Sequence, residues 1–111
     1  MDFDLIAYKL LRSTDGLNNL EVTDFCQALG LKPTRIDPED TAHILTRHGE
    51  DMVIHLDFNI IEGVDLLDVS YTVYDPNEDD KPYPMANNNT IRVHGLNTLT
   101  SALSEVYSWI S

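Results

Sequence analysis

Two stretches in the middle of the chain alternate between apolar and polar residues. The first runs from Met52 to Phe58 and the second from Leu67 to Tyr74. A period of two with one polar side is typical of β-strands in a sheet that is covered on one face only. The residues EGVD at 62–65 predict a turn between these strands. A short strand is predicted around Ile91 and Val93, after a loop that is rich in proline and asparagine.

The two ends of the chain show the helical period instead. Apolar residues from Phe3 to Leu11 recur at helical spacing, after Asp2 or Asp4 and before Gly16, which predicts a first helix. A last helix is predicted after Asn97 or Thr98, either of which can serve as its N-cap. Its apolar stripe consists of Leu99, Leu103, Val106 and Ile110.

A short second helix is predicted near residues 23–29. Thr23 or Asp24 can cap its start, and Gly30 can end it. Phe25 and Leu29 would share its apolar face. Cys26, the single cysteine, lies in this helix and is predicted to be a buried small hydrophobic residue.

The residues DPEDTAHILTRHG at 37–49 fit two structures. Asp37 and Pro38 suit the start of a helix, but the β-branched residues and the sequence RHGED also suit a strand and a hairpin loop. We favour the hairpin, with residues 41–47 paired to residues 51–58. In that case His43 and His55 could lie across neighbouring strands, with Asp57 nearby.

These elements predict one α+β domain spanning residues 1–111. An antiparallel meander of three or four strands carries the N-terminal and C-terminal helices on one face. The other face would be polar, and it is the place where we expect function. Its predicted side chains are His55, Asp57, Asp68, Ser70, Thr72, Tyr74, Arg92 and His94.

The net charge of −12 is concentrated in the middle of the chain. Residues 48–80 contain ten acidic residues and neither lysine nor arginine. Such a field repels nucleic acid and anionic membranes, and it attracts basic protein surfaces. The single cysteine predicts a protein without an internal disulfide. The N-terminus has acids where a signal peptide has basic residues, and the sequence has no long apolar run, so we predict a cytoplasmic protein.

The most acidic stretch, YDPNEDDKPYP at 74–84, matches the start of a calcium-binding loop only. Asp75, Asn77 and Asp79 occupy its first three ligand positions, but Asp80 replaces the required glycine and Ala86 replaces the bidentate glutamate. We therefore expect a solvated loop, and neither a metal nor a cofactor.

The charge pattern favours a small non-catalytic inhibitor that docks an acidic face on a basic surface of a protein partner. Immunity proteins against nuclease toxins and phage-encoded anti-defence proteins are similar in size and charge, and mimicry of nucleic acid is one way in which they act. Tyr71 or Tyr74 would add aromatic contact. The expected partner-binding residues are Glu50, Asp51, Asp57, Glu62, Asp65, Asp68, Tyr74, Asp75, Glu78, Asp79 and Asp80.

Two alternatives stay open. The sequence ALGLKP followed by strands and a late helix resembles small acidic chaperones of type III secretion over residues 28–74, and departs from them at residues 75–90. This resemblance implies a homodimer that binds an unfolded segment in apolar grooves. A small hydrolase-like or metal-binding enzyme would instead use His55, Asp57 and His94.

Overall fold

The computed structural model describes residues 1–37, 41–46, 52–61, 63–74 and 87–110. Within these residues the chain forms three α-helices, one 3₁₀ turn and five strands. In chain order they are α1 (Phe3–Thr14), the 3₁₀ turn (Leu17–Asn19), α2 (Val22–Ala28), β1 (Arg35–Asp37), β2 (Thr41–Thr46), β3 (Met52–Ile61), β4 (Leu66–Tyr74), β5 (Asn87–Val93) and α3 (Leu96–Ser108).

The five strands form one antiparallel meander whose spatial order is the order of the chain, β1-β2-β3-β4-β5. β3 and β4 are the longest strands, and they pair from Val53↔Tyr74 to Ile61↔Leu66. Side chains at directly paired positions project to the same side of a sheet. The registers therefore assign every strand residue to one of two faces.

One face of the sheet is the hydrophobic core. Its strand residues alternate as predicted, α2 and α3 pack on them from the same side, and α1 packs against these two helices. Phe25 of α2 contacts Phe58 of β3 edge-to-face, with ring centroids 5.4 Å apart. Phe3 of α1 contacts Tyr107 of α3 in the same way at 5.6 Å. Such pairs add about 0.5–1.5 kcal/mol beyond the area that they bury.

The helices agree with the sequence prediction except at their caps. α1 begins after Asp2, whose carboxylate accepts a hydrogen bond from the Leu5 N–H, and Asp15 ends it in the left-handed conformation at φ 57°. α2 starts earlier than predicted, because Glu21 is its N-cap and the Asp24 carboxylate accepts a hydrogen bond from the Glu21 N–H.

α3 also begins earlier than predicted. Its N-cap is Gly95, and Thr98 belongs to the first turn, where its hydroxyl accepts hydrogen bonds from the His94 and Gly95 N–H groups. No helix in the described ranges is long and apolar enough to cross a membrane.

The favoured hairpin is confirmed, since β2 pairs with β3 from Thr41↔Asp57 to Thr46↔Met52, and the helical alternative for this region is wrong. The predicted strand count is too low. β1 was not predicted, and it is held by its pairing with β2. β5 begins at Asn87, within the residues predicted as a loop, because residues 87–89 pair with Val73, Thr72 and Tyr71 of β4.

Candidate binding face

The sheet face opposite the helices is mainly polar, with the apolar residues Val53, Ile61 and Leu66 toward its two ends, and no described element covers it. We call this surface the open face, and it spans all five strands. Its polar side chains are Arg35, Thr41, His43, His55, Asp57, Asn59, Asp68, Ser70, Thr72, Asn88, Thr90 and Arg92. The predicted polar face is confirmed. Each strand residue that was predicted to lie on it, and whose side chain the structure describes, does lie on it.

A row of one arginine, two histidines and one threonine crosses part of the open face. The register aligns Arg35 of β1, His43 of β2, His55 of β3 and Thr72 of β4. The two imidazole rings stack, with centroids 4.6 Å apart and planes 13° from parallel. Among the described residues, this row is therefore not acidic.

Asp68 and Arg92 form an ion pair across β4 and β5. Arg92 Nε and Nη2 donate to the two Asp68 carboxylate oxygens at 2.9 and 3.2 Å, so the contact is bidentate. The hydrogen bond from Arg92 holds the pKa of Asp68 below its usual range, and Asp68 in turn raises the pKa of Arg92. Asp68 was predicted as a partner-binding carboxylate, but its charge is balanced within the molecule.

Asp57 is the exposed carboxylate at the centre of the open face. It lies on β3, directly opposite Ser70 of β4 and diagonal to Asp68, so its Cα is about 8 Å from that of Asp68. Among the described residues it has no ion-pair partner. Asp65 is also exposed, in the turn between β3 and β4. These two acids remain candidates for contact with a partner.

Seven of the predicted acids lie outside the described residues, as does the rest of the expected solvated loop. These acids are Glu50, Asp51, Glu62, Asp75, Glu78, Asp79 and Asp80. Tyr74 ends β4, and its side chain is also outside the description. The strand ends that precede and follow residues 47–51 and 75–86 are described. These are the end of β2, the start of β3, the end of β4 and the start of β5. The registers Thr46↔Met52, Val53↔Tyr74 and Val73↔Asn87 place all four at the same end of the sheet.

Tyr71 does not lie on the open face, so the expectation that it could contact a partner is wrong. It projects into the core and is 2% exposed. Its hydroxyl donates to Glu105 and accepts hydrogen bonds from Asn89 and Trp109, and burial is the main cause of its raised pKa. Asn89 also donates to Glu105 at 3.2 Å, so these four side chains form one polar cluster between the sheet and α3.

The residues of the enzyme alternative do not converge. His55 and Asp57 are neighbours on the open face, but His94 follows β5, six residues beyond the position aligned with His55. Strand geometry separates the Cα atoms of the two histidines by about 20 Å. No group of three metal-ligating side chains occurs within the described part of the chain.

Cys26 is buried in α2 as predicted, and burial raises the pKa of its thiol to about 11. The sequence reasoning missed Arg35, Thr41, Asn59, Asn88 and Thr90 as members of the open face. The signal for Thr41 was the period-two pattern of residues 41–46, whereas Arg35 belongs to a strand with no pattern of its own.

No family model, curated protein or solved structure matches this chain.

Proposed function

We propose that this protein is a non-catalytic binding protein that docks its open face and the acidic residues around it on a basic surface of a protein partner, and so occludes that surface. The observation that carries the proposal is the open face itself. It is five strands wide and mainly polar, and all three described helices pack on the opposite side. A sheet face of this width offers a rigid, preformed surface for contact.

The charge favours a basic protein over a nucleic acid as the partner. The chain carries 19 acidic residues and seven lysine or arginine residues. Binding to nucleic acid requires cations that neutralise phosphates. Of the two arginines on the open face, Arg92 already pairs with Asp68, so it does not supply an uncompensated charge.

Asp57 and Asp65 provide described carboxylates for such a partner. Both are exposed, and Asp57 lies at the centre of the open face. The strand ends that flank residues 47–51 and 75–86, two segments with six acidic residues between them, also share one end of the sheet. Negative charge distributed in this way accelerates encounter with a basic surface and weakens its contact with nucleic acid.

The proposal is tested by capturing a partner and then measuring what the contact depends on. The protein is tethered through its C-terminal helix, incubated with cell extract at low salt, and the retained protein is purified. Binding of the purified partner is then measured by surface plasmon resonance against salt concentration and against added duplex DNA. We expect affinity to fall steeply with salt, and we expect DNA to compete with the protein for the partner.

The matched variants are Asp57→Asn on the open face and Asp4→Asn on α1, which remove the same charge from opposite sides of the molecule. We expect Asp57→Asn to weaken binding about fivefold or more, since a contact to a charged group contributes about 1 kcal/mol or more. Asp4→Asn should leave it nearly unchanged. Equal effects of the two variants, or an affinity that is indifferent to salt and DNA, would refute the proposal.

A further inference from the structure

The stacked imidazoles of His43 and His55 are brought together by the pairing of β2 with β3. The His43 carbonyl accepts a hydrogen bond from the Thr34 N–H at 2.7 Å, so the polar backbone groups of His43 point toward the β1 side of the strand. In an antiparallel sheet, His43 and its opposite residue His55 then form a non-hydrogen-bonded pair. Such pairs bring Cα atoms to about 4.5 Å and hold their side chains closest together.

We propose that His43 and His55 form a two-histidine binding site for a divalent transition-metal ion such as Zn²⁺, Ni²⁺ or Cu²⁺. Imidazole nitrogen is a favoured ligand for these ions. Two ligands that are held together before the metal arrives lose little conformational entropy on binding it. Water supplies the other coordination positions, in agreement with the absence of a third ligating side chain within the described residues.

The geometry requires a small adjustment of the rings. The ring centroids are 4.6 Å apart. A metal with bonds of about 2.1 Å at a tetrahedral angle needs the two nitrogens about 3.4 Å apart. Because the rings are nearly parallel and lie on an uncovered face, rotation about their side-chain bonds can tilt the two nitrogens toward a common point. No movement of the backbone is needed.

The neighbouring charges on the open face partly cancel at this position. Arg35 lies opposite His43 on β1, and its cation opposes metal binding. Asp57 is two residues beyond His55 on the same face, about 7 Å along the strand, and its carboxylate favours the metal. Thr72, opposite His55 on β4, adds a neutral hydroxyl. Among the described residues, the site is therefore set by the two imidazoles rather than by neighbouring carboxylates.

The test uses the untagged protein with Ni²⁺ and Zn²⁺ as probes. Isothermal titration calorimetry should give one ion per chain at this site. His43→Asn and His55→Asn should each weaken binding at least tenfold, because each leaves a single imidazole. His94→Asn is the matched control, since it removes an exposed histidine about 20 Å away, and it should change affinity less than twofold.

Paramagnetic Ni²⁺ locates the ion independently. In two-dimensional NMR spectra it should broaden the ring signals of His43 and His55 first, and leave those of His94 sharp. Asparagine already occupies open-face positions 59 and 88. Circular dichroism will check that each variant folds, and His55→Gln serves as a second substitution. Equal loss of affinity in all three variants, or broadening centred elsewhere, would overturn the proposal. It does not depend on the proposed partner.

Discussion

Replacing Tyr71 with phenylalanine tests whether its hydroxyl stabilises the fold or serves recognition. The substitution removes one oxygen and keeps the ring, which is 2% exposed in the core. That oxygen donates a hydrogen bond to Glu105 and accepts from Asn89 and Trp109. The variant therefore removes the centre of the polar cluster between the sheet and α3, and it leaves the open face unchanged.

The expected loss of stability follows from the hydrogen-bond partners of the Tyr71 hydroxyl. A hydrogen bond to a charged group contributes about 1.5–3 kcal/mol, and one between neutral groups about 0.5–1.5 kcal/mol. Glu105 and Trp109 are half-buried and Asn89 is exposed, so water replaces part of what they lose. We expect the free energy of unfolding to fall by about 1.5 kcal/mol. For a chain of this length the melting temperature should fall by about 6 °C.

Urea denaturation followed by far-ultraviolet circular dichroism measures this cost. The matched control is Tyr8→Phe, since Tyr8 is exposed on α1 and its hydroxyl accepts a hydrogen bond from Arg12. It should cost less than about 0.5 kcal/mol. A double-mutant cycle of Tyr71→Phe with Glu105→Gln should give a coupling of about 1 kcal/mol.

If Tyr71→Phe lowers the free energy of unfolding no more than Tyr8→Phe does, or if the coupling energy is near zero, the cluster does not stabilise the fold. Burial also raises the pKa of Tyr71. The stability that this group contributes is fully present below its unfolded pKa and is lost as pH rises through its folded pKa. Tyr71→Phe should therefore reduce the loss of stability at alkaline pH.

Three further predictions concern other parts of the molecule. Arg92→Gln should destabilise the protein only slightly at pH 7, since an ion pair at the surface contributes little to stability. Because Arg92 lowers the pKa of Asp68, this contribution is present above the unfolded pKa of Asp68 and should vanish as pH falls through the folded one. A loss of stability that grows on acidification in urea titrations would contradict the ion pair. The thiol of Cys26, with a pKa of about 11, should react with Ellman's reagent at pH 8 only when urea unfolds the protein, and prompt reaction in native buffer would contradict its burial. Light scattering should give a monomer; a stable dimer would favour the secretion-chaperone alternative over the proposed inhibitor.

The sequence predicted those elements whose signals are local. β3 and β4 have long alternating patterns, and α1 has an N-cap at Asp2 and a glycine after its end. β1 has only three residues and lies between Pro33 and Pro38, so nothing in its own sequence marks it as a strand. Its pairing with β2 is a tertiary contact, and such contacts override local propensity.

The open face also depends partly on local sequence signals and partly on contacts between strands. Its polar character follows from the alternation along each strand, whereas its charge balance depends on register between strands. Asp68 meets Arg92 only because β4 and β5 pair as they do, and these residues are 24 positions apart. For Tyr71 the signal was present, since it shares the alternating positions of Val69 and Val73, and its assignment to a partner contact ignored that period.

The contact between Phe3 and Tyr107 has a practical consequence for handling the protein. It joins the first and last helices on the side of the sheet that is remote from the open face. A tag, a fluorophore or a surface linker attached beyond either helix will therefore project away from the residues under test. The same orientation allows two different labels, one at each end, to report on the molecule without obstructing access to Asp57 or to the paired histidines.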